Sequence, residues 1–113
     1  MNVRIKITEW CGNERTYHLN VVVSESKVQD FWRPLDAGSE DYLKKVGDLG
    51  SVIVKSLMQI DGVAQACLRP YEVKIRKGEA FEWESIDLRV IEILRKIFSE
   101  RGDEVRVIPL EEK

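Results

Sequence analysis

The chain has 113 residues, 43% of them hydrophobic and 34% charged, a size and composition that mark one globular domain rather than a disordered segment. Its 18 basic and 20 acidic residues leave a net charge of −2, which argues against a dedicated nucleic-acid binder, whose surface carries a concentrated basic patch. No stretch approaches the roughly 20 apolar residues of a membrane span, and the opening MNVRIKITEW holds no apolar signal core, so the chain is expected in the cytoplasm and off the membrane.

Residues 1–10 alternate: Val3, Ile5 and Ile7 face one way, Arg4, Lys6 and Thr8 the other, the period of a half-buried strand. Cys11-Gly12-Asn13-Glu14 reads as a turn, and residues 15–24 as a second strand with Tyr17, Leu19, Val21 and Val23 on one face, so the two strands form a hairpin. Residues 25–40 are irregular. Val28, Phe31, Trp32 and Leu35 are apolar, and Pro34 with Asp36-Ala37-Gly38-Ser39 interrupts any regular element, so a short strand or an extended loop is expected.

Ser39 is the expected N-cap of a helix, with Glu40 and Asp41 at its positive end. Leu43, Val46, Gly50, Ile53, Leu57 and Ile60 then recur at spacings of three and four, one apolar face. Gly47 and Gly50 interrupt it, and each costs about 1 kcal/mol relative to alanine in a helix interior. Either the helix proper begins near Leu49 or the glycines let it approach the sheet closely. Asp61-Gly62 stops the helix. Residues 63–69 and 71–77 form a second hairpin around Arg69-Pro70, with Ala64, Ala66 and Leu68 on one face of its first strand and Val63, Gln65, Cys67 and Arg69 on the other. A second helix begins near Phe81 or Glu82, its stripe Trp83, Ile86, Val90, Leu94 and Ile97-Phe98, and Gly102 stops it. EVRVIP at residues 104–109 adds a last strand that Pro109 confines to an edge or an end, and the charged residues 111–113 are expected to fray.

The order ββαββα, with a further C-terminal strand, defines an α+β fold: two layers, a mostly antiparallel sheet with both helices on one face. The domain occupies residues 1–100, with 101–113 as a C-terminal extension.

The residues offer little catalytic chemistry. Cys11 and Cys67 are far apart with no C-x-x-C, and the single histidine, His18, lies on the polar face of its strand. A soft-metal site needs three or four ligands, so Cys11 and His18 alone do not make one. Cys67 reads as a small, half-buried apolar group. No elbow surrounds a serine, and Gly47-Asp48-Leu49-Gly50 lacks the Lys-Ser/Thr of a phosphate loop. Phe31-Trp32 beside Arg33 stands out, since Trp and Arg are enriched where partners anchor; the simpler reading tucks Trp32 over the open end of the sheet, because large aromatics are mostly buried.

One resemblance runs through the chain. Leu57, Ile60, Gly62 and Val63 match a helix-end motif; Pro70, Val73, Ile75 and Lys77 match a hairpin; Trp83, Glu84 and Ile86 match the opening of the last helix. Asn13, Thr16 and Leu19 match the early strand, with Glu14 where the motif has proline and His18 where it has lysine. In these residues, spread over positions 3–98, the chain resembles the N-terminal domain of Nfu/NifU-type iron–sulfur scaffold proteins. The matching residues mostly shape backbone and core, so they speak to fold more than to activity. In that family the cluster sits on a separate C-terminal domain with C-x-x-C, a motif absent here. The resemblance therefore implies a non-enzymatic accessory or adaptor domain, without cofactor, acting through a protein partner of iron–sulfur assembly, as a monomer or weak homodimer, with no nucleic acid and no membrane.

The candidate partner-binding residues are Cys11, Asn13, Phe31, Trp32 and Arg33. The alternative is a small α+β ligand-binding or regulatory module unrelated to iron, which a concave apolar pocket with convergent polar groups would favour. A third reading, an enzyme working through Cys11, requires an activated thiolate that thiol titration reads directly.

Overall fold

A computed structural model describes residues 2–33 and 35–110; Met1, Pro34 and residues 111–113, including the expected frayed end, lie outside the described residues. The elements are β1 (Asn2–Cys11), β2 (Glu14–Leu19), β3 (Gln29–Trp32), a 3-10 turn (Ala37–Ser39), α1 (Glu40–Leu57), β4 (Val63–Arg69), β5 (Glu72–Lys77), α2 (Trp83–Glu100) and β6 (Glu104–Ile108). They form a six-stranded sheet in the order β3-β4-β5-β2-β1-β6. Each neighbouring pair is antiparallel except β1 and β6, which run parallel from Asn2 opposite Glu104 to Lys6 opposite Ile108. Both helices cover one face, as the two apolar stripes imply. Leu43, Ile53 and Leu57 of α1 and Trp83, Ile86, Val90, Leu94 and Phe98 of α2 bury against Val3, Ile5, Tyr17, Leu68, Val73 and Ile75 of the sheet.

Several boundaries move, each for a local reason. β2 ends at Leu19, not Ser24. At the next position the Asn20 side chain takes over the ladder: its Oδ1 accepts from Arg4 N at 2.8 Å and its Nδ2 donates to Asn2 O at 3.0 Å. The chain then leaves β1, and Val23 N donates instead to Pro70 O at 2.7 Å. The irregular segment yields a strand, β3, paired to β4 from Gln29 opposite Leu68 to Trp32 opposite Gln65. In β4, Val63 is fully buried rather than on the face of Gln65 and Cys67, because the register with β5 shifts between Val63 and Gln65. An extra residue in one strand reverses the alternation on its far side.

Ser39 stands at the start of α1, but its hydroxyl makes no cap. It accepts from Asp36 N at 3.2 Å and reaches Asp36 Oδ1 at 3.4 Å, closing the preceding turn on itself. α1 is two helical runs joined at Gly47, whose φ of 88° and ψ of 178° are not helical. Gly50 allows a close approach, but to the chain beyond β2 and not to the sheet: a Cβ there would lie 2.7 Å from the carbonyl oxygen of Val23, so the second run of α1 sits directly on the returning chain.

A polar network fastens the start of α2 to the sheet. Tyr17, 0% exposed, donates its hydroxyl to Asp87 Oδ1. Arg15 lies 3.7 Å from Asp87, donates to Glu9 at 3.1 Å, and stacks its guanidinium 4.8 Å from the centre of the Trp83 ring. Trp83 Nε1 in turn donates to Gly12 O at 2.6 Å. The turn between β1 and β2 is thereby held against the helix that covers it.

Candidate interaction surface

The face of the sheet away from the helices is uncovered and polar, and strand register decides what meets there. Cross-strand partners share a face, so Trp32, Gln65, Arg76 and Glu14 form one row across β3, β4, β5 and β2. Asp30, Cys67, Lys74, Thr16 and Thr8 form the next, and Arg69, Glu72, His18 and Lys6 a third. The charges alternate in sign. Glu14 pairs with Lys74 at 3.3 Å and Arg76 at 3.2 Å, while Glu72 meets His18 at 3.2 Å and Arg69 at 3.8 Å. Exposed pairs of this kind contribute about 0–1 kcal/mol each to stability; they set the pattern of charge a partner would meet.

The five residues singled out in the sequence do not converge. Cys11 is an exposed free thiol at the end of β1, opposite Glu14. Asn13, two residues on, is spent on structure: its carbonyl accepts from Lys77 N at 2.9 Å and its Oδ1 from Lys77 Nζ at 3.2 Å, tying the first hairpin to the end of β5. Across the sheet, β3 stands four strand spacings from β1, roughly 19 Å at the usual inter-strand distance. Phe31 is 2% exposed and belongs to the core opposite Ala66, so it is no partner contact; alternation along β3 turns it inward and its neighbour outward.

Trp32 is 60% exposed on the uncovered face. It does not tuck over the sheet, because β3 is an edge strand and the position faces away from the helices. Arg33 is exposed, and its guanidinium donates to the carbonyl oxygens of Met58 and, at 2.8 Å, Ile60. Met58 is the C-cap of α1, so the cation there complements the helix's negative end. The pair Trp32-Arg33 thus presents one exposed aromatic on a backbone that Arg33 pins to the end of α1.

His18 and Cys11 belong to different ends of the hairpin, His18 opposite Lys6 and Cys11 opposite Glu14. His18 Nε2 lies 2.8 Å from Thr8 Oγ1. Among the described residues, no three His, Cys, Asp or Glu side chains are grouped closely enough to hold a metal ion.

Reading the sequence missed the middle row. Cys67 lies in a recess of about 250 Å³ between Asp30 and Lys74 on the uncovered face. Burial, then the neighbouring Asp30 carboxylate across the strand pair, push the Cys67 thiol up to about 11. The folded chain therefore keeps this proton in a range where the unfolded chain, with an ordinary thiol near about 8.5, has lost it. The contribution is complete below the unfolded value and lost as pH rises through about 11. At neutral pH, iodoacetamide is expected to alkylate exposed Cys11 first and Cys67 at least tenfold more slowly, the two rates converging in urea; thiolate, not thiol, is the nucleophile. Peptide mass spectrometry over time reads this, and equal rates in the native protein would contradict the placement of Cys67. Its signal in the sequence was the partner Asp30, whose position depends on a strand register that composition does not reveal.

With this geometry, comparison with known proteins identifies the fold. No family profile matches the chain, and no curated protein matches it. Solved structures do. The chain is similar to a NifU-like protein from Saccharomyces cerevisiae, with 19% identity and a TM-score of 0.63 over 89% of this chain and 82% of that one. It is also similar to protein SAV1430 from Staphylococcus aureus, with 14% identity and a TM-score of 0.57 over 83% of this chain and 99% of that one. The class is a two-layer α+β domain with a NifU-like fold, and at these identities the likeness speaks for the fold alone.

Proposed function

We propose that this chain is a relative of the N-terminal domain of Nfu/NifU-type scaffold proteins, a non-enzymatic adaptor in iron–sulfur cluster assembly that acts through protein contacts and holds no cluster itself. The observation that carries this reading is the fold likeness to the NifU-like yeast protein over most of both chains, together with the helix-end, hairpin and Trp83-Glu84 motifs of the sequence. The uncovered sheet face supports it, because its alternating charges and the exposed Trp32 on a pinned edge suit recognition by another protein surface.

Affinity capture from the native cell, with wild type and Trp32→Ala in parallel, tests the proposal. Wild type is expected to recover cluster-assembly components, and the variant to recover them about tenfold less, the loss typical of an aromatic anchor. Recovery of no such component by wild type would refute the assembly role. Anaerobic reconstitution with iron and sulfide should leave the protein colourless; a brown protein whose visible absorption is lost in Cys11→Ser would refute the absence of a cluster.

The alternative, a ligand-binding or regulatory module, draws on one feature. A groove of about 430 Å³ runs between α1 and α2, lined by Val52, Ile93 and Ile97 and by Arg89, Glu92 and Lys96. Its size is in the range of small-molecule sites, roughly 300–1,000 Å³. A metabolite that raises the melting temperature of wild type but not of Ile93→Asp would favour that reading over the adaptor.

A further inference from the structure

Among the described residues the sheet ends at β6, a strand that pairs only with β1. We infer that a second copy of this chain docks there, β6 against β6 antiparallel about a two-fold axis through Val105. The backbone, the charges and the flanking helix each point to this register.

Along an edge strand, alternate residues address the inner neighbour and the open side. The carbonyl of Val105 accepts from Arg95 Nη1 at 3.4 Å, and Arg95 is an exposed residue of α2 that reaches it from outside the sheet. Val105 therefore presents its backbone groups outward, and a two-fold axis through it sets them against their own copies, with the Val105 N–H of the second copy taking the place of the long Arg95 bond on the carbonyl. In this register Glu104 of each chain falls opposite Arg106 of the other, in the non-hydrogen-bonded pair where side chains come closest.

The charges fit this arrangement. Arg106 lies in register beside Arg4, and Glu104 beside Asn2. Among the described residues neither Glu104 nor Arg106 has an ion-pair partner. Two arginines side by side repel, and the carboxylate of a second copy would relieve them. A self-complementary patch, acid two positions from base on one strand face, is what a two-fold interface requires.

The flanking helix adds apolar area. Leu88, Ile91 and Arg95 follow one stripe of α2 at spacings of three and four, the stripe that Arg95 places over β6. Leu88 is 62% exposed and Ile91 half-buried. The two-fold axis carries this stripe toward its copy, so that joined sheets are roofed by adjacent helices.

Light scattering behind size exclusion and sedimentation equilibrium on the full chain test this. Wild type is expected to dimerise at high micromolar concentration. Arg106→Glu sets Glu against Glu, Glu104→Arg sets Arg against Arg, and each should weaken the dimer about tenfold or more, since two attractive cross-strand pairs become two repulsive ones. An equimolar mixture of the two variants should recover the dimer as a heterodimer, and the double exchange should recover it as a homodimer. Both positions are exposed, so each variant is expected to fold, which circular dichroism checks. A wild type monomeric at every concentration, a dimer indifferent to the single exchanges, or a mixture that stays monomeric would each overturn the inference.

Discussion

Replacing Gly47 with alanine is expected to lower the free energy of unfolding by about 2–3 kcal/mol, the order of cost for a side chain forced into a backbone region that only glycine populates. At φ 88° and ψ 178°, Gly47 joins the two runs of α1. Alanine is favoured over glycine by about 1 kcal/mol inside a helix, but that gain is absent where the backbone is not helical. Straightening the joint to collect it would move Leu43 and Val46, both buried, out of the core or shift Ile53 and Leu57 on the other side. The new Cβ would also sit 1.7 Å from Glu25 Oε2, yet Glu25 is exposed and its carboxylate is free to swing away. Strain and collision are therefore separable. Gly47→Ala combined with Glu25→Ala should recover little, whereas Gly12→Ala, whose Cβ meets nothing within 4 Å, should change stability by no more than about 0.5 kcal/mol. Urea midpoints read all three. A Gly47 effect no larger than that of Gly12, or a near-complete rescue by Glu25→Ala, would refute the backbone account.

Gly47 also illustrates what this sequence discloses and what it withholds. The two glycines signalled an interruption in an otherwise continuous apolar stripe, but propensity could not tell a late start from a close approach to the sheet, and it did not point to a kink. The structure uses one glycine for the kink and the other for the close approach to Val23. Where period alone decides, the sequence was transparent: Val3, Ile5 and Ile7 in β1, Val73 and Ile75 in β5, and Trp83 to Phe98 in α2 all face the core they were expected to face.

Where a single backbone event decides, it was opaque. The register shift after Val63 reverses that residue's face, and the Asn20 side chain ends β2 by imitating a strand. The candidate surface suffers most from this, because it depends on register across five strands. Phe31 and Trp32 are adjacent aromatics of similar hydrophobicity, and only the pairing of β3 with β4 sends one to the core and the other to solvent. The group that Arg33 bonds, at the end of α1, is 25 residues away in sequence and adjacent only after folding.

The network beneath α2 gives the second large effect. Asp87→Ala is expected to destabilise the fold by about 2–3 kcal/mol, because it leaves the buried Tyr17 hydroxyl without the charged acceptor it now has. Arg15 suffers less, since it keeps Glu9 at 3.1 Å and the Trp83 ring. Tyr17→Phe removes the hydroxyl itself and should cost less, about 1 kcal/mol, because Asp87 is part-exposed and retains Arg15. The double variant should then be more stable than the sum of the two losses predicts by about 1 kcal/mol or more, the signature of residues in direct contact. Additivity within about 0.5 kcal/mol would mean that the hydroxyl and carboxylate do not depend on each other. pH supplies an independent reading of the same bond. Burial first, then the hydrogen bond and charge of Asp87, hold the Tyr17 phenol far above its ordinary value. An unfolded tyrosine ionises near about 10, so above that pH the unfolded chain binds fewer protons than the folded one and stability falls as pH rises. The decline should be shallower in Tyr17→Phe than in wild type, with the Cys67 contribution common to both. Equal slopes would place the alkaline loss elsewhere and remove the phenol from the account.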